Sequence, residues 1–334
     1  MEIFKTVVPF EAPSEILSSL HGVRTTEMID SERAFLCGLL QQYRPKKIVE
    51  VGVAEGGTTA VMLNCIHEIS LECDMYSVDL AERYYGDPTQ ETGWILKEAA
   101  RTYPEKIDLS KHHLLLGDVL PAHLENIGGG IDFLLLDTMH IMPGEVLDFI
   151  AAFPYLDQNA IVVLHDVNFS YGWRTPNGIA TTVLFQSVVA DKFLNNQDFY
   201  PNIAAFKLNS DTDKYMCNVF TALITTWSYL PEEKHLEEYR TITEKHYPPE
   251  YMRIYCQAIQ EAKQFYYPVN SDAAPGSGLT PPGPEPIDDR SNARKFADKV
   301  LPKGSRRREF AKIFLPKGSL RYRFCKKIYH IIHF

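Results

Sequence analysis

Short apolar runs alternate with helix-length amphipathic segments from about residue 35 to residue 208. The runs Lys47–Gly52 (KIVEVG), Met75–Leu80 (MYSVDL), His113–Gly117 (HLLLG), Ile131–Asp137 (IDFLLLD) and Ala160–Asp166 (AIVVLHD) are almost continuously apolar. Strands of a parallel sheet covered on both faces need that pattern, whereas a half-exposed strand alternates polar with apolar. Between the runs the spacing predicts helices near 57–70, 91–103, 120–127 and 143–155. A helix near 179–193 and a strand at Asn202–Leu208 (NIAAFKL) follow. The alternation implies βαβ units and a doubly wound, mostly parallel α/β sheet.

The flanks read differently. Residues 1–34 give mixed signals and are expected to pack as an N-terminal extension to a domain over 35–208. Residues 209–267 read as a helical C-terminal cover over one sheet edge. From 268 to 293 the chain is rich in Pro, Gly and Ser (PVNSDAAPGSGLTPPGPEPIDD over 268–289), the composition of an unpacked linker. The last segment, 294–334, holds two copies of one short unit: LPKGSRRREFAKIF (301–314) and LPKGSLRYRFCKKI (315–328), at an offset of 14 residues. Two such units are too short for a solenoid and read as a disordered, basic, amphipathic tail.

Charge sharpens this division. The 334 residues carry a formal net charge of -9, yet from Arg294 onward 13 Lys/Arg face 2 Asp/Glu. That leaves 21 basic and 41 acidic groups of the totals of 34 and 43 on residues 1–293. An acidic body repels nucleic acid and anionic membranes, while the tail is attracted to them. The tail combines its charge with Phe, Ile and Tyr, as peripheral contact with anionic lipid requires. It carries no nucleic-acid motif, so nucleic acid is not an expected partner. Six scattered cysteines without CxxC spacing argue against a disulfide framework or a structural zinc site. No apolar run approaches the roughly 18–20 residues of a membrane span, and MEIFKTVVPFEAPSE lacks the features of a secretory leader. The expectation is a cytoplasmic protein, peripheral at the inner face of the membrane, with a homo-oligomer left open.

The strongest chemical signal is IVEVGVAEGGTT (48–59). Glu50 ends the first strand, and Gly52, Gly56 and Gly57 lie in the turn that delivers the chain to a helix N-terminus, where ligands of such folds bind. The spacing departs from the GxGxxG of dinucleotide sites, and the carboxylates of Glu50 and Glu55 suit a cationic, zwitterionic cofactor better than a pyrophosphate. Asp79, 27 residues after Gly52, stands where an acid accepts from ribose hydroxyls, and Asp118 in GDV (117–119) is placed to meet an adenine amino group.

The ordered set EVGVAEGG, VDL, GDV, LLLDTMH and VVLHDVN resembles the class I S-adenosylmethionine-dependent methyltransferases over about residues 35–208. Within them it is similar to the small-molecule branch of catechol, caffeoyl-CoA, macrocin and sugar O-methyltransferases. The resemblance implies a Rossmann-like, seven-stranded sheet and S-adenosylmethionine as cofactor. Glu50 and Gly52 would line the methionine side, Asp79 the ribose and Asp118 the adenine, with Glu55, Gly56 and Gly57 also in the cofactor-binding set. The acceptor implied is a small hydroxylated molecule, with a sugar or glycan intermediate preferred.

The segments LLLDTMH (134–140) and VVLHDVN (162–168) end central strands, so Asp137, His140, His165 and Asp166 are expected beside the reacting methyl group. His140 is the candidate base, with Asp137 and His165 in support. In the metal-dependent relatives two acids and an Asn hold a divalent cation, and Asp137 and Asp166 match the acids. That implies Mg²⁺, although Val167 stands where the Asn is expected and Asn168 comes one place late. Tyr171, Trp173 and Arg174 lie where a substrate lid would be, and His67, His112 and His123 read as incidental. Two other readings use the same residues. His140, His165 and Asp137 imitate the 2-His-1-carboxylate set of an Fe(II)-dependent hydroxylase of the cephalosporin-hydroxylase type. A non-catalytic, membrane-recruited adaptor would retain the fold and use the tail.

Overall fold

The computed structural model describes residues 4–12, 26–172, 177–195 and 201–265. Seven strands form one sheet: β1 (Lys47–Val51), β2 (Asp74–Asp79), β3 (His112–Leu116), β4 (Ile131–Leu136), β5 (Leu156–His165), β6 (Asp191–Leu194) and β7 (Ile203–Lys207). Their order is β3-β2-β1-β4-β5-β7-β6. The first five are parallel, while β7 runs antiparallel to both β5 and β6. This is the doubly wound, Rossmann-like sheet that the apolar runs predict.

Alternation along the strands splits the core in two. Val49, Val51, Leu134, Leu136, Val162 and Leu164 face one way, into a cluster with Leu124, Val146, Phe149, Ile150 and Leu184. These belong to α4 (Leu120–Ile127), α5 (Gly144–Ala152) and α6 (Ala180–Ser187). Ile48, Phe133, Leu135, Ile161 and Val163 face the other way, against Leu36, Leu40, Met62 and Leu96. Those lie on α1 (Asp30–Tyr43), α2 (Gly57–Glu68) and α3 (Trp94–Thr102).

Three expectations are corrected. The helix expected over 179–193 stops at Ser187, because the extended backbone at Val188 leads Asp191–Leu194 into pairing with β7. A four-residue strand carries too little pattern to announce itself, and tertiary pairing decides it. The boundary expected at residue 35 cuts through α1, whose first turn carries Glu32 into the domain interior. The C-terminal helices do not flank a sheet edge. After α7 (Ser210–Lys214) and α8 (Cys217–Ala222), α9 (Glu233–His246) and α10 (Pro249–Phe265) form an outer layer, with α9 lying on α4 and α5. Leu236, Tyr239 and Ile242 give α9 its apolar stripe, and the Tyr239 hydroxyl donates to Asp148 Oδ1 at 2.5 Å. The β6 edge is met instead by the N-terminal segment, where the Lys5 N–H donates to the Lys192 carbonyl. The linker at 268–293, the tail at 294–334, Trp173 and Arg174 lie outside the described residues.

Candidate functional site

The C-terminal ends of the parallel strands set the candidate residues in a row. Asp118 follows β3, Asp79 ends β2, Gly52 follows β1, Asp137 follows β4 and Asp166 follows β5. Four strand steps at about 4.8 Å make this edge roughly 19 Å long. It includes the switch point between β1 and β4, where chain connections leave in opposite directions and open α/β sheets bind ligands.

At the β1 end, Gly52 has φ +96°, and a Cβ there would lie 1.8 Å from the Asp137 carbonyl oxygen. Gly56 (φ +88°) fits tightly under the start of α3, with a Cβ position 2.9 Å from Leu96 Cβ. Gly57 opens α2, and the Glu55 carbonyl accepts from the Ile95 N–H at 2.8 Å. Asp79 pins this turn: Oδ2 accepts from the N–H groups of Val53 (2.8 Å) and Ala54 (3.0 Å), and Oδ1 from that of Ala81 (2.8 Å). Glu50 is fully buried beneath the turn. Its Oε2 accepts from Thr59 Oγ1 (2.7 Å) and Ser77 Oγ (2.6 Å), while Oε1 has no hydrogen-bond partner among the described residues. Burial pushes its carboxyl up to about 8 despite those hydrogen bonds.

At the far end, Asp118 Oδ1 accepts from the Val119 N–H at 2.9 Å and lies 3.6 Å from His235 Nε2. Burial and the neighbouring Asp118 raise the Glu238 carboxyl to about 7. The outer helix α9 thus meets the row at Asp118, a relationship with no signal in the sequence.

The four residues after β4 and β5 do converge. His140 Nε2 lies 3.1 Å from Asp166 Oδ2 and 3.7 Å from Asp137 Oδ1; His165 Nδ1 lies 3.0 Å from Asp137 Oδ1 and 3.8 Å from Asp166 Oδ2. Asp137, His140 and His165 offer ligand atoms all within 4.8 Å of one another. His140 (φ 60°) and Asp166 (φ 55°) both occupy the left-handed region, a strain of about 1–3 kcal/mol each when the surroundings enforce it. The enforcing bonds are visible. The His140 N–H donates to Glu145 Oε1 (2.8 Å), its carbonyl accepts from the Ala180 N–H (3.0 Å), and the Asp166 carbonyl accepts from Thr181 Oγ1 (2.8 Å).

Partners unsuspected from the sequence complete the cluster. Glu145 Oε1 lies 3.0 Å from His140 Nδ1, and Glu32 Oε2 lies 3.5 Å from His165 Nε2. Asn202 Nδ2 donates to Asp166 Oδ1, while Val167 turns into the core. The amide absent after Asp166 is therefore supplied from β7's end of the sheet. Glu145 had one legible hint, an acid inside the apolar helix GEVLDFIAA; Glu32 and Asn202 had none. Tyr171 is exposed.

Burial works against charge on His140, but Asp166 and Glu145 prevail and raise its pKa to about 10. His165 is likewise raised well above the usual imidazole range: burial opposes it, and Asp137 and Asp166 outweigh burial. Burial would raise Asp166, Glu145 and Glu32, yet the facing imidazoles hold all three low. A base that takes a proton at neutral pH needs an uncharged ring, so His140 in this arrangement is a proton donor until its proton is displaced. With both rings charged, four carboxylates still leave the cluster two negative charges in excess, a composition suited to a cation.

Residues 49–167 match a family model described as a methyltransferase domain. Among solved structures, the O-methyltransferase TomG from Streptomyces achromogenes, in complex with SAM, is 14% identical with a TM-score of 0.43, covering 61% of this chain and 92% of its own. An O-methyltransferase from Bacillus cereus, in complex with SAH, is 15% identical with a TM-score of 0.42, covering 58% and 89% respectively. No curated protein matches the chain.

Proposed function

We propose that this chain, whose residues 49–167 match a methyltransferase-domain model, is a class I methyltransferase that methylates a hydroxyl of a small acceptor, preferably a sugar or glycan intermediate. The observation that carries the reading is the row of Asp118, Asp79, Gly52, Asp137 and Asp166 along five adjacent strand ends, closing on the carboxylate–imidazole cluster. Its carboxylates suit a cofactor bearing an ammonium and a sulfonium, and the buried, unpartnered Glu50 Oε1 marks the methionine end. S-adenosylmethionine supplies the electrophilic methyl group when bound. Glu50, Gly52, Glu55, Gly56, Gly57 and Asp79 would hold its methionine and ribose side, and Asp118 its adenine.

The reaction is an in-line displacement, so the protein must align the acceptor oxygen and remove its proton. Asp137, the most exposed member of the cluster, is where an acceptor hydroxyl enters. The proton passes to the Asp137 carboxylate, which the charged His140 and His165 imidazoles face. A divalent cation held at Asp137 and Asp166, such as Mg²⁺, would add Lewis acidity toward that hydroxyl. The tail at 294–334 would bring the acidic body to an anionic membrane surface. No helix among the described residues is long and apolar enough to cross a membrane.

A screen of sugars and nucleotide sugars with S-adenosylmethionine, read by mass spectrometry, tests the reading. A product heavier by one CH₂ unit supports it. One observation favours a second reading: two imidazoles and one carboxylate converge, the donor set of Fe(II) hydroxylases. A product heavier by one oxygen atom, formed without S-adenosylmethionine, would replace the first reading with that one.

A further inference from the structure

Each imidazole of the cluster has a buried carboxylate behind it, at ion-pair distance but outside hydrogen-bonding geometry. His140 presents Nε2 to the centre, and its Nδ1 lies 3.0 Å from Glu145 Oε1. His165 does the converse, with Nδ1 at the centre and Nε2 facing Glu32 Oε2 at 3.5 Å. Both backing groups are buried and anchored: Glu145 Oε1 accepts from the His140 N–H at 2.8 Å, and Glu32 Oε2 from the Ile29 N–H at 2.7 Å. The other oxygen, Glu145 Oε2, is buried with no hydrogen-bond partner among the described residues. A structural histidine needs no such arrangement. Two rings, one from the loop after β4 and one at the end of β5, bring one nitrogen each toward Asp137 Oδ1 and hold the other near a buried glutamate. A carboxylate beside the outer nitrogen favours the N–H there, and a cation binding at the inner nitrogen displaces the proton it carries.

We propose that Asp137 Oδ1, His140 Nε2 and His165 Nδ1 bind a divalent first-row transition ion in preference to Mg²⁺, with Glu145 and Glu32 as the positioning residues for the two rings. Metal–ligand bonds of about 2.1 Å put neighbouring donors about 3 Å apart. The Asp137–His165 pair already stands at 3.0 Å and the Asp137–His140 pair at 3.7 Å, so a small ring movement closes the set. Imidazole nitrogen suits Mn²⁺, Fe²⁺, Co²⁺ and Zn²⁺, whereas Mg²⁺ holds to oxygen ligands and keeps its water. Asp166 Oδ2, 3.1 Å from His140 Nε2, stands ready as a fourth donor. The inference deepens the proposed reading and rests on it for the site's purpose. Its test is metal binding alone, so failure of either leaves the other standing.

The full chain, freed of metal by a chelator, is dialysed to equilibrium against Co²⁺ or Mg²⁺, and the Co²⁺ visible spectrum is recorded. One Co²⁺ per chain is expected, bound roughly 100-fold more tightly than Mg²⁺, with the spectrum of nitrogen and oxygen ligation. Glu145→Gln and Glu32→Gln should each weaken Co²⁺ by about 10–100-fold. His165→Ala should abolish stoichiometric binding, and His67→Ala on the exposed end of α2 should leave it intact. Circular dichroism establishes that each variant is folded. Where a variant unfolds, competition of Mg²⁺ against Co²⁺ on the native chain decides instead. Absence of stoichiometric Co²⁺ on the native chain, a thiolate spectrum, displacement of Co²⁺ by equal Mg²⁺, or unchanged affinity in folded Glu145→Gln and His165→Ala overturns the proposal.

Discussion

Gly52 and Asp137 meet backbone to backbone: a Cβ on Gly52 would fall 1.8 Å from the Asp137 carbonyl oxygen. The contact joins the glycine turn after β1 to the first residue of the cluster after β4. Gly52→Ala would have to displace that carbonyl while holding a φ of +96°. Backbone strain and overpacking together should cost about 2–5 kcal/mol. Urea denaturation measures it, and a loss inside the error of the method would contradict the contact.

Asp79 holds the turn through three backbone N–H groups. S-adenosylhomocysteine should raise the melting temperature of the native chain, since a ligand bound only by the folded state stabilises it, and NAD should not. Asp79→Ala should lower the unliganded melting temperature and remove most of the shift. Stabilisation by NAD alone would remove the proposed cofactor.

Glu50 makes stability depend on pH. Its carboxyl is raised to about 8 in the folded protein, against about 4.3 for an unperturbed Glu. The folded state therefore retains a proton that the unfolded chain has lost. This contribution is complete below the unfolded pKa and disappears as pH rises through about 8. Between about pH 5 and pH 8, Glu50→Gln should show a flatter profile in chemical denaturation than the native chain. Parallel profiles would mean that Glu50 is ionised at neutral pH.

His140 sits between Asp166 and Glu145 at the centre of the proposed chemistry. His140→Ala should lower kcat by roughly 10²–10⁴-fold, the usual contribution of a positioned proton-transfer group. Affinity for S-adenosylhomocysteine should change little. Steady-state kinetics with a methylated product as readout separates the two, and an equal loss of cofactor affinity would make His140 a structural residue.

The tail prediction follows from charge. Residues 294–334 carry 13 Lys/Arg against 2 Asp/Glu, and each cation near an anionic surface contributes about 1 kcal/mol, screened by salt. The full chain should sediment with anionic but not neutral vesicles and be released as salt rises. A chain truncated after Tyr267 should remain in the supernatant. Equal sedimentation of both would place the attraction elsewhere.

The sequence by itself determined the sheet and the row along its edge. Runs such as KIVEV and IDFLLL carry apolar residues on both faces of the strand, which a strand between two helical layers requires. Because strand ends carry the ligand side of such a sheet, Gly52, Asp79, Asp137 and Asp166 are legible as candidate site residues from the sequence, and the structure sets them along one edge. The four-residue β6 was not, since its four residues become a strand only by pairing with β7. Nor were the groups that set the cluster's charge. Glu32 comes from α1, over a hundred positions before His165, and Asn202 is the residue before β7. Local pattern places a side chain on a face. Only packing of distant segments decides which buried carboxylate stands behind which imidazole, and with it the proton that His140 holds.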